Sequence, residues 1–303
     1  MLFGIALALG GDVLVDVLDV GQGDAILIRG GGKVVLIDAG DRSADTEDQL
    51  RTLGVTRLDL VVATHPHADH IGRMEQVLRR FEVGLFMDNG FPHDTATYSA
   101  MIAAVEERQI PYRSGRVGMT LNLGDEAVLT VLSPPDSAFT GTRSDLNSNS
   151  VVVMLDHRDV EMLFTGDSEE PTERALVRNG LPKFEVVKVA HHGSAHSSVH
   201  SFVEAVVDPA LPTFALVSVG DGNRYDHPDH DAMMRWRDAG AMVFRTDKSG
   251  QIRIVSDGVT VEAFEGPLSE LGVDWPMSLI RAAREAPRSL GGGSGSRRGG
   301  TGR

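Results

Sequence analysis

Ala63–Ile71 reads ATHPHADHI and places three imidazoles and one carboxylate, His65, His67, Asp69 and His70, within six positions directly behind an apolar run. Leu58–Ala63 (LDLVVA) has the unbroken apolar character of a buried strand, and Ala68–Arg80 carries Ile71, Met74, Val77 and Leu78 at helical spacing. The ligand-type side chains therefore fall on a strand-to-helix turn, where they converge without interrupting regular structure. Imidazole nitrogens and carboxylate oxygens suit zinc and neighbouring transition metals. A lone histidine here would read as a helix cap or a polar turn residue, whereas four such groups on one loop suffice to serve two ions.

The same stretch has the form HxHxDH, which resembles the signature of the metallo-β-lactamase superfamily. The motifs LDVGQGDAILI (Leu18–Ile28), VLIDAG (Val35–Gly40), LFTGD (Leu163–Asp167), VAHHGS (Val189–Ser194) and NRYDHP (Asn223–Pro228) accompany it. Their order resembles that in the C-terminal hydrolase (nuclease) domain of the ComEC family of DNA-uptake competence proteins, over about Val13–Phe264. HxHxDH specifies only the superfamily; DVGQGD with HHGS points to the ComEC-like branch. The resemblance implies an α/β fold, the αββα sandwich of two mixed sheets, with metals at one edge.

Periodicity leads to the same architecture. Val13–Val20, Ala25–Arg29 and Lys33–Asp38 read as strands, and helical patterns cover Thr46–Leu53, Ala68–Arg80 and Thr97–Arg108. A second half follows in the same style. Val151–Asp156 with Glu161–Thr165 reads as a hairpin, Glu169–Val177 as a helix, Phe184–Ala190 as a strand and Val199–Val206 as a helix. Strand Phe214–Val219, helix Asp231–Ala239, and strands Met242–Arg245 and Gln251–Ser256 complete it. Two mixed sheets with helices outside bury both apolar faces of each sheet.

With 303 residues, 41% of them hydrophobic, the chain can bury a substantial core. The absence of cysteine removes disulfides, thiolate ligands and thiol nucleophiles together. Four segments are expected: an apolar lead-in at 1–12, the hydrolase domain at 13–264, a C-terminal helical extension at 265–286 and a flexible tail at 287–303. Met1–Gly10 (MLFGIALALG) is too short to span a bilayer and lacks the basic start of a signal peptide. Pro287–Arg303 holds four arginines, no acid and seven glycines, a composition that cannot build a core. The resemblance favours an extracytoplasmic or membrane-associated location, with a DNA-uptake channel as partner; a cytoplasmic one is also compatible.

The remaining site candidates come from the second half and the polar loops. Gly166 permits a turn that leaves Asp167 either capping the following helix or, as the resemblance implies, bridging two cations. His191 and His192 follow a strand with neighbours pointing apart, so they are not expected to share one ion. His191 is read as the ligand and His192 as a catalytic substrate contact, with the exchanged roles also open. Where the superfamily often has a further histidine ligand this chain reads DLNSNSVV, so Asn147 and Asn149 join Asp19, Gln22 and Asp24 as substrate-loop candidates. The first metal, on His65 and His67, is thereby short of a ligand, with His93 and His157 weak substitutes. His196, His200 and His230 read as surface residues. Arg73 takes the place of a glycine common in the family, and His227 is implied to meet substrate phosphate or support the metal shell.

Two divalent ions, zinc or manganese, are therefore expected on His65, His67, Asp69, His70, Asp167 and His191, with Asp69, His192 and His227 in catalytic roles. Paired cations acidify water and stabilise the attacking and leaving oxygens of phosphoryl transfer. With this chemistry the resemblance implies a phosphodiesterase or nuclease acting on DNA. The alternatives are hydrolysis of another small ester (a phosphorylcholine-type phosphodiester, a β-lactam or a thioester) and a non-catalytic metal-binding module. A net charge of −14 opposes binding of a phosphate backbone, so local positive field must come from the metals, from Arg73, Arg143 and Arg224, or from a partner.

Overall fold

The computed structural model describes residues 11–266, Asp125 aside, together with the backbone of Ile280–Ala283. The lead-in up to Gly10 and the tail expected at 287–303 lie outside the described residues. The chain opens with an antiparallel meander of β1 (Val13–Val17), β2 (Ile26–Gly30) and β3 (Lys33–Ile37). Helix α1 (Thr46–Thr52) and a small parallel ribbon, β4 (Arg57–Leu58) with β6 (Glu82–Val83), flank β5 (Leu60–Val62). Helices α2 (Ala68–Ile71), α3 (Met74–Arg80) and α4 (Ala96–Glu107) then alternate with β7 (Phe86–Asp88) and β8 (Tyr112–Ser114), so that β3, β5, β7 and β8 run parallel.

The second half repeats this progression from antiparallel to parallel pairing. Strands β9 (Thr120–Gly124), β10 (Ala127–Ser133), β11 (Val152–His157) and β12 (Val160–Phe164) pair antiparallel, with the short helix α5 (Asp145–Ser148) between β10 and β11. Helices α6 (Glu170–Asn179), α7 (His200–Val206) and α8 (His230–Asp238) link β12 in parallel to β13 (Val186–Lys188), β14 (Phe214–Val217) and β15 (Met242–Arg245). After α9 (Thr246–Ser249) the chain returns to the first sheet, where β16 (Gln251–Ser256) pairs with β1 and β17 (Thr260–Gly266) pairs with β16.

The pleat explains why these strands read as unbroken apolar runs. In β2, Ile26 and Ile28 enter the core between the sheets, where they join Leu155, Phe164 and Phe214, while Leu27 faces the helices with Leu50, Val77 and Met101. In the other sheet Leu163 and Val187 pack against Phe202 and Trp236 of α7 and α8. Both faces of each sheet are thus covered, giving the expected αββα layers.

Three expectations are corrected. The single helix over Ala68–Arg80 is two, because the backbone leaves helical geometry at Arg73 (φ −104°, ψ 3°), directly after Gly72, where a Cβ would lie 2.3 Å from the Arg42 nitrogen. The strand Phe184–Ala190 is shorter and gives way to a 3-10 turn, Ala190–Gly193. Within 265–286 the described residues are strand: β17 ends at Gly266, and β18 (Ile280–Ala283) pairs antiparallel with it, supplying partners to backbone groups that an edge leaves open. Among the described residues no helix is long and apolar enough to cross a membrane.

Candidate metal centre

Strands β3, β5, β12, β13 and β14 all deliver their carboxyl ends to one rim, the place where open α/β sheets form crevices. There His65 Nε2 lies 3.0 Å from His67 Nδ1 and 3.8 Å from Asp167 Oδ2. The other oxygen of Asp167, Oδ1, stands 3.2 Å from His70 Nε2 and 3.5 Å from His192 Nε2. Asp69 Oδ2 closes this second group, 3.4 Å from His192 Nε2 and 4.0 Å from His70 Nε2. His191 stands on the first side, with Nε2 3.6 Å from Asp167 Oδ2.

Asp69, His70, Asp167 and His192 each offer one atom, and these atoms lie within 4.8 Å of one another. His70 Nε2, Asp167 Oδ1 and His192 Nε2 are buried yet make no well-formed hydrogen bond despite their proximity. Buried polar atoms in folded proteins are nearly always paired, so these converging lone pairs fit a cation.

An outer layer holds the rings. His70 Nδ1 bonds Asp38 Oδ2 at 2.7 Å, and Asp38 accepts from both the backbone nitrogen and the hydroxyl of Thr64 at 2.7 Å. Thr64 Oγ1 in turn meets His65 Nδ1 at 3.1 Å. His192 Nδ1 meets the Ser218 carbonyl at 2.9 Å and lies 3.3 Å from Asp24 Oδ1, whose other oxygen is 2.9 Å from the buried ammonium of Lys188. Such partners fix the tautomer and leave the opposite ring nitrogen free to bind metal. Gly23 makes the layer possible: at φ +130° its absent Cβ would lie 2.1 Å from the Asp69 carbonyl oxygen, so the DVGQGD loop sits directly on the histidine loop.

Residues 18–215 match the family model described as the metallo-beta-lactamase superfamily. The chain belongs to that superfamily. The ComE operon protein 3 of Bacillus subtilis (strain 168) is 30% identical over 264 residues, covering 79% of this chain and 32% of that protein. Competence protein ComA of Neisseria gonorrhoeae is 28% identical over 247 residues, covering 80% and 32%. The chain thus spans about a third of the length of these relatives. The metallo hydrolase Igni18 from Ignicoccus hospitalis superposes with a TM-score of 0.54 at 14% identity, covering 79% of this chain and 98% of that one, which shows the fold.

In this superfamily member burial sets the charge of His65, and neighbouring charges set that of the other cluster members. His65 is held well below the ordinary imidazole range by burial and by the neighbouring His70, so it is neutral. Burial works against charging His70 and His192, but Asp167 with Asp38 and Asp167 with Asp24 outweigh it, raising His70 well above its usual range and His192 to about 10. Burial likewise pushes Asp167 up, and His70, His192 and His191 overcome it, holding the carboxyl well below the usual range. Four carboxylates packed this closely require positive charge, which protons on two histidines or a divalent cation would supply.

The residues expected as ligands converge on this rim. His192, read as the substrate contact, stands in the four-atom group, and both His191 and His192 line a cavity of about 490 Å³. The physical reason is local. Both residues sit at positive φ, 51° and 53°, in a left-handed turn rather than on the strand, and their planes diverge by 72°. Asp167 is buried and lines the cavity; it does not cap α6, which starts behind Glu169 without a side-chain cap. His227, Gln22 and Asn147 also line the cavity, and so does His196, which was read as a surface residue.

Others fall elsewhere. Asp19 is exposed and accepts from Gly21, and Asn149 is buried and binds Phe139 through both ends of its amide, so both serve loop structure. Asp24 lies behind His192 rather than in the cavity. His157 is far off on β11, bonded to Ser256, and His93 pairs with Thr95, its ring 6.5 Å from that of His67. Arg73 is tied to Glu47 and Arg143 to Glu169. Sequence reading gave no role to Asp38, Thr64, Glu169 and Lys188. Lys188 did leave a signal, a lone ammonium inside the apolar run FEVVKVA.

Proposed function

We propose that the chain is a dinuclear metal-dependent phosphodiesterase that cleaves DNA. The observation that carries the reading is the two-sided placement of Asp167, one oxygen toward His65 and His191 and the other toward His70 and His192. On this reading His65, His67 and Asp167, with His191 beside them, would hold one ion, and Asp69, His70, His192 and Asp167 would hold the other. Zinc and manganese both suit this cysteine-free set of nitrogens and oxygens. When bound, the ions supply Lewis acidity toward a phosphoryl group and an activated water.

The chain's own groups supply position. Glu169 receives Asn147 Nδ2 at 3.1 Å and Arg143 Nε at 3.1 Å and lies 3.3 Å from His191 Nδ1, which locks the rim opposite His70. His227 is pushed down to about 4 by burial and by His191 and His192, so near pH 7 it is a neutral donor to a phosphoryl oxygen. A DNA substrate is supported by the relatives, one of which is named a competence protein, and a DNA-uptake channel is the partner this implies.

The test is turnover by purified protein loaded with zinc or with manganese, on single-stranded DNA, bis(p-nitrophenyl) phosphate and a chromogenic β-lactam. Cleavage of both phosphodiesters without β-lactam hydrolysis is expected. Efficient β-lactam hydrolysis with both phosphodiesters intact under either metal would overturn the reading.

A further inference from the structure

The loop between β14 and α8 carries a group of residues that metal chemistry does not require. Its shape is imposed by one side chain. Asn223 Nδ2 donates to the carbonyls of Gly220 at 2.9 Å and His227 at 2.7 Å, while Oδ1 accepts from the backbone nitrogens of Tyr225 and His227, each at 3.1 Å. The loop is anchored at both ends, by Gly220 N on Gln22 Oε1 at 3.3 Å and by Asp229 N on the Gly193 carbonyl at 2.8 Å. Although it lies at the surface, it is therefore held in one conformation.

What this loop presents is a row of rings leading outward from the metal centre. The plane of His227 lies 33° from that of His192 at 6.4 Å, and the Tyr225 ring lies 20° from His227 at 5.8 Å. Tyr225 ends the row and is 46% exposed at the cavity mouth, which leaves a large aromatic surface in water in a chain with only three tyrosines. Arg224 lies over that ring at 4.8 Å and donates to the Tyr225 hydroxyl at 2.6 Å. Arg73 and Arg143 spend their charge on Glu47 and Glu169, whereas Arg224 has no carboxylate within ion-pair distance among the described residues.

A preorganised, partly exposed ring with a guanidinium bonded to its hydroxyl and to no carboxylate among the described residues, one ring away from the cluster, matches what a nucleotide offers: a flat base and a phosphate a short distance apart. We propose that Tyr225 and Arg224 form a nucleotide subsite beside the metal centre, the base stacking on Tyr225 and Arg224 receiving the adjoining phosphate. The subsite rests on the phosphodiesterase reading and narrows its substrate to unpaired nucleic acid, since a base stacked within a duplex has no free face for the ring. It also explains how a chain of net charge −14 holds a polyanion: part of the affinity comes from stacking, which added salt does not screen.

The experiment compares single-stranded DNA with an abasic oligonucleotide of equal length and charge, using metal-loaded wild type, Tyr225→Ala, Tyr225→Trp and Arg224→Gln. Wild type is expected to favour the base-bearing strand by roughly tenfold in kcat/KM, Tyr225→Ala to bring that ratio toward one, and Tyr225→Trp to retain it. Arg224→Gln is expected to weaken both substrates and to flatten the salt dependence by about one unit of slope. In parallel, a 2-aminopurine oligonucleotide reports stacking without turnover, its fluorescence quenched by wild type and not by Tyr225→Ala. An unchanged ratio in Tyr225→Ala, or no quenching by wild type, overturns the subsite. Quenching without cleavage of any strand overturns the phosphodiesterase reading and leaves the subsite standing.

Discussion

Asp167 and the two histidines of the HHGS turn concentrate the chemistry into side chains that single substitutions separate. Asp167→Asn keeps size and burial but removes the charge that both donor groups face. We expect the folded variant to lose turnover by at least about a hundredfold together with bound metal, read by elemental analysis; wild-type turnover at full metal content would refute the bridging role. His192→Ala is expected to lower metal content from about two ions to about one, whereas His191→Ala should lower turnover more than metal content. The reverse pattern would restore the assignment that strand alternation suggested. The premise behind that assignment differs from the backbone for a local reason. Alternation presumes extended backbone, and His191 and His192 are left-handed, a conformation that residue type does not announce. The clustering of the HxHxDH side chains was legible because short spacing on one turn fixes proximity. Asp38 and Lys188 lie far from their partners in sequence, and only the packing of β3 and β13 against the histidine turns brings them within reach.

At the scale of elements, segments bounded by local turn residues were readable, and breaks imposed by contacts remote in sequence were not. Met242–Arg245 and Gln251–Ser256 match the strands observed, since each is bounded by turn residues. The helix break at Gly72 escaped because the clash that forbids a side chain there involves Arg42, remote in sequence. Two elements carry testable energetics. Lys188 on β13 and Asp24 are both buried, so Lys188→Met leaves a carboxylate without its ammonium and should destabilise the fold by roughly 3 to 5 kcal/mol in urea unfolding. A loss below about 1 kcal/mol would show that His192 compensates Asp24 alone. Glu173 of α6 is buried and accepts from the backbone nitrogens of Ser198 at 2.6 Å and Val199 at 2.8 Å, ahead of α7. Burial dominates those bonds and raises its pKa from 4.5 to about 7. The folded state thus holds this proton more tightly than the unfolded chain, so its contribution to stability is full below about pH 4.5 and is lost as pH rises through 7. Wild-type stability minus that of Glu173→Gln should fall by roughly 3 kcal/mol between pH 4.5 and 8. A pH-independent difference would show the carboxylate ionised throughout.

The whole molecule couples these parts. Ion binding to the folded site alone stabilises it by mass action, so a chelator should lower the melting temperature, and restoring zinc or manganese should recover it; an unchanged melting temperature would argue against a folded-state site. The net charge predicts the second global behaviour. DNA cleavage should weaken as salt rises, because the metals and a few arginines oppose an acidic surface over a short range.

The donors are divided between distant parts of the chain: His65, His67, Asp69 and His70 leave β5, whereas Asp167 and His192 leave β12 and β13. The sheet that supports the first set is itself finished only when β16 pairs with β1. The histidine turn thus precedes Asp167 and His192 by roughly a hundred residues of chain. On the metal-site reading no cation meets its full donor set until β12 and β13 have joined the fold, so the four groups of the histidine turn do not by themselves decide which ion is retained.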